Sequence, residues 1–337
     1  MLKAAVIGVG SIGRNHARVY SEINNDIELV AVVDTHAETA KQVGNMRHVP
    51  AYSDIEAMLD REKPDVVSVA VPTETHLEIA RLAIERGIHV LVEKPIASTA
   101  EEAHEMIDLA ERAGVVLAVG HVERHNPAIT ELSKRVQDGA LGKIFQMNAH
   151  RVGPFPARIR DVGVVLDLAT HDLDVMCSIV HEPVVRVTAE TIFGINTDRE
   201  DMVNGMIRFA NGVVGVLDIN WMTPTKIREF SVVGALGMFR ANYLTQELYF
   251  YENDDAPGTW DQLSVLTGVG EGNITGVKIN RTEPLRAEIL DFINAVKNNG
   301  EPRVTGRDGL RALQLAQALV DAGKKEAPIV FEVEKAL

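Results

Sequence analysis

The first 16 residues constrain this chain most, because an apolar run leads there directly into a glycine-rich segment. Residues 4–7 are apolar and include β-branched side chains, which is typical of a buried strand. Gly8, Gly10 and Gly13 follow in a G-x-G-x-x-G arrangement that opens a helix-compatible segment. The three glycines allow a tight turn, close backbone approach to a pyrophosphate, and close packing of helix on strand. The helix N-terminus then presents N–H groups to the phosphates. This pattern predicts a dinucleotide-binding fold.

A carboxylate at the end of the second predicted strand indicates which dinucleotide is bound. Residues 27–33 form an apolar strand that ends at Asp34, about 20 residues beyond the last glycine. A carboxylate there accepts hydrogen bonds from both hydroxyls of an adenosine ribose and repels a 2′-phosphate. We therefore predict NAD rather than NADP. The alternative is a glycine turn that precedes an ordinary surface aspartate.

The composition is that of a globular chain with an excess of acidic residues. Its 337 residues predict two domains. The net charge of −14 argues against nucleic acid or an anionic membrane surface as partner. A local arginine cluster would still suit an anionic small substrate. The single cysteine, Cys177, cannot form an intramolecular disulfide, and we find neither a signal peptide nor a membrane-spanning run. We expect a cytoplasmic location.

Strands and helices alternate along the first third of the chain, which predicts an α/β fold. Predicted strands at residues 65–71, 88–92 and 115–119 are separated by helical segments. Such alternation is typical of a doubly wound parallel sheet, here assigned to a cofactor domain of residues 1–120.

The remainder, residues 121–337, follows a different pattern. A predicted helix over residues 127–137 precedes several longer alternating strands, and Asn211-Gly212 is a strong hairpin signal between two of them. These strands are predicted at residues 143–151, 184–192, 201–209, 213–221 and 226–233. We predict an α/β domain with an open, mostly antiparallel sheet that binds substrate and mediates oligomerisation. Residues 253–273 are polar and contain glycine, so we expect a mobile loop.

Lys94 stands out among the residues that directly follow the predicted parallel strands. Ligands of such sheets bind beyond the carboxyl ends of the strands. An amine placed there, near a nicotinamide, can hydrogen-bond a substrate hydroxyl. The alternative is a solvated lysine at the end of a strand.

A second cluster of chemistry-bearing side chains lies in a predicted helix over residues 167–179. Asp167 and His171 are four residues apart and share one helix face, with Asp174 a further turn along. A carboxylate beside a histidine favours the tautomer and basicity that a general base for an alcohol needs. A metal site is possible, but we find no further ligand at a recognisable spacing, so we predict none. The alternative is a helix with a polar solvent face.

Three motifs together resemble the Gfo/Idh/MocA family of oxidoreductases. They are the glycine motif ending at His16, Glu93-Lys94-Pro95, and the acidic helix motif that contains His171. The resemblance covers essentially the whole chain, including a helix start at residues 308–313. It implies an N-terminal Rossmann domain and a C-terminal α/β domain. The open sheet of the latter would form one wall of a sugar site and often an oligomer interface.

The resemblance also implies roles for individual residues. Lys94 would contact both the nicotinamide ribose and the substrate, His171 would be the general base, and Asp167 would be its neighbour in the site. His171, assisted by Lys94, would remove the proton of a sugar or polyol hydroxyl while hydride passes to NAD⁺. Asp174 matches an acidic position whose role varies among family members.

Two segments bear on the substrate. Residues 119–127 resemble the segment of family members that oxidise UDP-N-acetylglucosamine, although His125 stands where we expect phenylalanine. Arg151, Arg158 and Arg160 lie in a proline-punctuated segment before the helix, where they would clamp a diphosphate. The alternative is a set of surface arginines.

We therefore predict a dehydrogenase acting on the 3-hydroxyl of a UDP-linked N-acetylhexosamine. Alternatives are a dehydrogenase of a free polyol or sugar such as myo-inositol, a dehydrogenase of a UDP-N-acetylhexosaminuronate, and a binding protein that senses NAD. Besides the nucleotide sugar or sugar, we expect a second copy of the chain as partner, in a homodimer or homotetramer. The predicted cofactor contacts are Gly8, Gly10, Ser11, Ile12, Gly13, Asp34, Pro72, Thr73, His76, Glu93 and Lys94. The predicted substrate contacts are Lys94, Glu123, Arg124, Arg151, Arg160, Asp167, His171 and Asp174.

Overall fold

The computed structural model of the chain describes residues 1–23, 25, 27–156, 162–195, 198–253 and 271–332. The chain forms two compact units, and each is built from two stretches of sequence. The first unit combines Met1–His125 with Thr282–Gln314, and the second combines Asn126–Arg281 with Leu315–Leu337. The sequence predicts a single division at residue 120. The structure instead returns residues 282–314 to the first unit.

The first unit contains a six-stranded sheet in the order β3-β2-β1-β4-β5-β6, and all of its strand pairs are parallel. The order reverses between β1 and β4, which is where open parallel sheets bind ligands. All four residues of β4 are buried, as expected of a strand covered on both faces. The strands are β1 Leu2–Ile7, β2 Ile27–Val33, β3 Ala51–Tyr52, β4 Val66–Val69, β5 His89–Glu93 and β6 Leu117–Gly120.

The second unit contains a nine-stranded sheet in the order β14-β13-β12-β11-β7-β10-β9-β8-β15. Among the strands described, β7 and β10 run parallel and the other pairs antiparallel. Buried and exposed residues alternate along β9, so one face of the sheet is covered. The strands are β7 Ile144–Pro154, β8 Val184–Ile192, β9 Met202–Phe209, β10 Val214–Asn220, β11 Met222–Gly234, β12 Gly237–Asn242, β13 Glu247–Asn253, β14 Glu271–Val277 and β15 Ile329–Val330.

The helices follow the predicted alternation closely in the first unit. Short 3₁₀ turns occupy Thr73–Thr75 and Val122–His125, and a π-helical segment, Val165–Ala169, directly precedes α7. None of the helices in the described ranges combines the length and apolarity needed to cross a membrane. The α-helices are α1 Gly13–Glu22, α2 Ala37–Arg47, α3 Ile55–Glu62, α4 His76–Ile84, α5 Ala100–Ala113, α6 Pro127–Gln137, α7 Thr170–Val180, α8 Pro284–Lys297 and α9 Gly306–Lys325.

Helix α8 shows why the first unit takes in residues from late in the chain. Its apolar side chains Ile289, Phe292 and Ile293 are buried in the same core as the β1 residues Ala4 and Val6. The core of the first unit is therefore completed by residues that lie nearly 300 positions after β1 in the sequence. In the second unit, apolar residues of α6, α7 and the last part of α9 pack together with those of the large sheet.

The strands β12, β13 and β14 were not among those predicted from the sequence. The sequence predicts a mobile loop over residues 253–273. Residues 254–270 lie outside the described residues, and residues 271–273 belong to β14. The predicted helix over residues 167–179 begins instead as the π-helical segment.

We predict that Gly13→Ala destabilises the folded chain by about 2 kcal/mol or more. A Cβ at position 13 would lie 1.8 Å from the carbonyl oxygen of Gly8, so helix and turn must separate. Urea denaturation followed by circular dichroism measures the change. Gly10→Ala is the matched control, because no atom lies within 4 Å of a Cβ built there. Equal stability of the two variants would contradict this account of the turn.

Candidate active site

The glycine turn is tightly packed at Gly8 and Gly13 and open at Gly10. Gly8 has a φ of +83°, a left-handed conformation that L side chains rarely adopt, and its N–H bonds the carbonyl of Val33 at 2.8 Å. Gly10, Ser11 and Ile12 are all exposed, at the point where α1 begins. The N–H groups at that helix start and the open space over Gly10 together suit a phosphate group.

Asp34 connects the end of β2 to the glycine turn. One carboxylate oxygen accepts the Val9 N–H at 2.9 Å, and the other accepts the His36 N–H at 2.9 Å. The carboxylate is thereby held at the carboxyl edge of the sheet, where the sequence places the contact with the adenosine ribose. These residues fit an adenine dinucleotide that carries no 2′-phosphate.

The ring of His76, a predicted cofactor contact, is buried. Its Nδ1 lies 3.0 Å from the carbonyl oxygen of Pro95, and its Nε2 lies 3.0 Å from that of Val71. Burial lowers the pKa of His76 below its ordinary value, and the two carbonyls only partly oppose that effect. The ring therefore links two strand ends. Of the neighbouring predicted contacts, Pro72 is exposed and Thr73 is half-buried.

Glu93 and Lys94 occupy the carboxyl end of β5. The Lys94 backbone N–H donates to Glu93 Oε2 at 3.2 Å, and the Lys94 side chain is half-buried. Glu93 Oε1 lies 2.9 Å from Nε2 of His16, which the sequence indicates only as part of a family motif. Burial acts to raise the pKa of Glu93, but His16 and Lys94 outweigh it and hold that pKa below its ordinary value.

Arg124 uses its guanidinium within the first unit. Nη1 donates to the carbonyl of Arg303 at 2.8 Å, and Nη2 lies 3.2 Å from Asp308. Burial acts to raise the pKa of Asp308, but Arg124 and Arg311 hold it below its ordinary value. The predicted substrate contact thus joins the turn after β6 to the start of α9. Glu123, also predicted as a substrate contact, is half-buried.

Asp167, His171 and Asp174 belong to one continuous helical stretch in the second unit. Asp167 lies in the π-helical segment, and such segments are frequent at functional sites. Asp167 and Asp174 are buried, and His171 is half-buried. The start of the stretch contacts Glu200, a residue that the sequence does not indicate.

Glu200 anchors the start of this stretch in two ways. Its backbone carbonyl accepts the Val164 N–H at 3.0 Å, and its buried carboxyl oxygen accepts the Val165 N–H at 3.2 Å. Burial raises the pKa of Glu200 above its ordinary value, although the backbone N–H groups of Glu200 itself and Val165, together with Lys324, oppose the shift. A Cβ at Gly163 would lie 2.2 Å from the carboxyl group, so a larger residue there would displace it.

Arg151, predicted as part of a diphosphate clamp, lies on β7 and is buried. Its Nε donates to Asp172 Oδ2 at 2.6 Å, and its Nη2 donates to Asp172 Oδ1 at 3.1 Å. The Tyr243 hydroxyl also donates to Asp172, and the guanidinium lies 4.7 Å from the centre of the Tyr243 ring. Arg151 therefore ties β7 to α7 and does not form an exposed diphosphate clamp. Arg158 and Arg160 lie outside the described residues.

We predict that Arg151→Met destabilises the chain by about 3–5 kcal/mol, because it leaves the Asp172 carboxylate buried without its ion-pair partner. Equilibrium denaturation in urea measures the loss. Arg240→Met removes a comparable pair with Glu229 that is partly exposed on the sheet, and it should cost no more than about 1 kcal/mol. Similar losses in the two variants would contradict a special role for the buried pair.

His125 makes the chain sensitive to acid. Burial, helped by the charges of Arg303 and Arg124, lowers the pKa of His125 to about 3. The folded chain therefore keeps the ring neutral at pH values where the unfolded chain binds a proton, so stability falls as pH drops from about 6.5 toward 3.

We predict that His125→Phe removes about 2 kcal/mol of the stability lost between pH 7 and pH 5. Phenylalanine is also the residue expected at this position from the family resemblance. Urea denaturation of both proteins at the two pH values measures the difference. An unchanged pH dependence in the variant would show that His125 does not titrate as described.

Comparison with known protein families covers both units. Residues 2–121 match the family model described as "Oxidoreductase family, NAD-binding Rossmann fold". Residues 129–240 match the model described as "GFO/IDH/MocA C-terminal domain".

Individual relatives are similar over most of their length. The chain is 31% identical to UDP-N-acetylglucosamine 3-dehydrogenase of Acidithiobacillus ferrooxidans over 94% of this chain and 95% of the relative. It is 33% identical to D-glucoside 3-dehydrogenase of Escherichia coli over 69% of this chain and 73% of that one. A solved structure of the Acidithiobacillus enzyme matches with a TM-score of 0.86 at 30% identity, covering 96% of this chain and 98% of that chain.

Proposed function

The chain belongs to the Gfo/Idh/MocA family of oxidoreductases and is an NAD-dependent sugar dehydrogenase, and we propose that its substrate is UDP-N-acetylglucosamine, oxidised at the 3-hydroxyl. The observation that carries the proposal is the similarity to an enzyme named for that reaction along nearly the whole of both chains. The Escherichia coli relative is named for oxidation at the same position of a glucoside. Oxidation at the 3-position is therefore common to both, and the nucleotide group distinguishes them.

We assign the cofactor to the first unit. The glycine turn and the start of α1 would hold the phosphates, and Asp34 would accept the hydroxyls of the adenosine ribose. When bound, NAD⁺ supplies the acceptor for the hydride. Since a carboxylate at position 34 repels a 2′-phosphate, NADP⁺ should be the poorer cofactor.

The reaction itself needs a proton acceptor and a group that stabilises charge on the hydroxyl oxygen. We assign proton removal to the imidazole of His171, with Asp167 as its acidic neighbour. Lys94 donates a hydrogen bond to the same hydroxyl oxygen as negative charge develops there. Asp174 and Glu123 remain predicted substrate contacts.

Recognition of the diphosphate is assigned to fewer residues than the sequence suggests. The guanidinium group of Arg151 is engaged with Asp172, so it is not presented as an exposed clamp. Arg158 and Arg160 remain the predicted diphosphate contacts. A free sugar or polyol as substrate would need no such contact, and the activity assay distinguishes the two cases.

We predict that the purified chain reduces NAD⁺ with UDP-N-acetylglucosamine, at a kcat/KM on the order of 100-fold above that for methyl glucoside or myo-inositol. Absorbance at 340 nm measures the rate, and NMR of the product locates the ketone. A preference for the free sugars would overturn the nucleotide-sugar assignment. Absence of turnover with every sugar, together with retained NAD⁺ binding, would favour a binding protein instead.

The same assay tests the proton acceptor. His171→Ala should lower kcat on the order of 10²- to 10⁴-fold while NAD⁺ affinity, measured by calorimetry, stays unchanged. His181→Asn is the matched control, because His181 is an exposed histidine at the other end of α7. A near-normal kcat in the alanine variant would remove His171 from this role.

A further inference from the structure

A chain of buried hydrogen bonds runs through the first unit and ends beside Lys94. The Tyr20 hydroxyl lies 2.9 Å from Ser68 Oγ, which lies 3.0 Å from His16 Nδ1. His16 Nε2 lies 2.9 Å from Glu93 Oε1. Tyr20 and His16 come from α1, Ser68 from β4 and Glu93 from β5. Tyr20, Ser68 and His16 are at most 1% exposed, so water does not compete for the bonds among these three.

The hydrogen bonds of this chain have one consistent direction when the His16 ring is neutral and Glu93 is ionised. An ionised carboxylate only accepts, so the proton on His16 Nε2 must point toward Glu93. In the neutral imidazole, Nδ1 then accepts, which requires the Ser68 hydroxyl to donate to it. The Tyr20 hydroxyl in turn donates to Ser68. Every donor in the chain therefore points toward Glu93, and such aligned bonds reinforce one another.

Glu93 is confined on its other side as well. Its Oε2 accepts the Lys94 backbone N–H, and a Cβ at Gly120 would lie 3.1 Å from that oxygen. The carboxylate thus touches the backbone of Lys94 through one oxygen and His16 through the other. The orientation that His16 imposes on Glu93 is passed directly to the residue that carries the amine.

We propose that His16 is a positioning residue for catalysis, holding the Glu93 carboxylate in place so that the Lys94 amine is fixed at the substrate hydroxyl. This inference rests on the role proposed above for Lys94. Ser68 orients the imidazole through its hydrogen bond to Nδ1, and Tyr20 in turn holds Ser68. A purely structural histidine would also be buried and hydrogen-bonded, so the experiment must separate loss of stability from loss of catalysis.

Two substitutions at position 16 each keep one of the two hydrogen bonds that the His16 ring makes. The amide of His16→Gln can reach the place of Nε2 and keep the bond to Glu93, whereas the amide of His16→Asn lies near Nδ1 and keeps only the bond to Ser68. We expect the asparagine variant to lose kcat on the order of 10- to 100-fold, because small displacements of a catalytic group are that costly. The glutamine variant should recover most of this loss. NAD⁺ affinity, measured by calorimetry, should change less than about threefold in both.

Melting temperature, kcat and KM are measured for both variants together with His89→Ala. His89 begins the strand that Glu93 ends, and its Nδ1 accepts the Val116 N–H at 2.9 Å. Its replacement should therefore reduce stability and leave kcat near the wild-type value. If the asparagine and glutamine variants have equal kcat, or if kcat falls in His89→Ala as much as in His16→Asn, the proposal is overturned.

Double substitution tests whether His16 acts through Glu93. Glu93→Gln and His16→Asn should each lower kcat, and their combination should be no worse than the more severe single variant, since both remove the same link. Multiplicative losses would overturn the proposal. Failure of the proposed function is recognised separately, because wild-type protein would then oxidise no sugar, or Lys94→Ala would retain full activity.

Discussion

The lack of a side chain at Gly13 is the constraint on which the rest of the first unit depends. A Cβ there would collide with the carbonyl of Gly8, so only glycine lets α1 start this close to β1. The close approach of α1 to β1 brings the helix start to the phosphate position. It also places His16, one turn later, within reach of the central strands. Its hydrogen bond to Glu93 then connects the glycine turn to the segment that carries Lys94. The steric requirement at Gly13 therefore connects the cofactor end of the sheet to the segment that carries Lys94.

In the second unit, a buried ion pair and a buried carboxyl group perform the corresponding task. Arg151 and Asp172 join β7 to α7, and Glu200 holds the backbone from which the π-helical segment begins. Without its partner, either member of the ion pair would be strongly destabilising in the interior. Together these contacts fix the stretch that carries Asp167 and His171. Arg151, a predicted substrate contact, thus supports the stretch that carries two other predicted site residues.

Residues predicted for the site differ in how far their roles depend on distant partners. The turn that carries the glycines and the strand end at Asp34 could be located from the sequence, because each is marked by a local pattern of residues. The surroundings of His76 and Arg124 could not be located in this way. Their partners, the carbonyl of Pro95 and the carboxylate of Asp308, are 19 and 184 residues away in sequence. No local pattern reveals that such a side chain is already engaged.

By itself, the sequence determined the parallel sheet, its glycine turn, the mostly antiparallel second sheet and the family, because hydrophobic periodicity and turn chemistry are local properties. Helix α6 and strand β8 even have their predicted bounds. Only the tertiary structure decided that α8 returns to the first core, that Arg151 is buried against Asp172, and that a hydrogen-bonded chain through His16 ends at Glu93. These features depend on which distant side chains share the interior, where an unpaired polar group is too costly to remain.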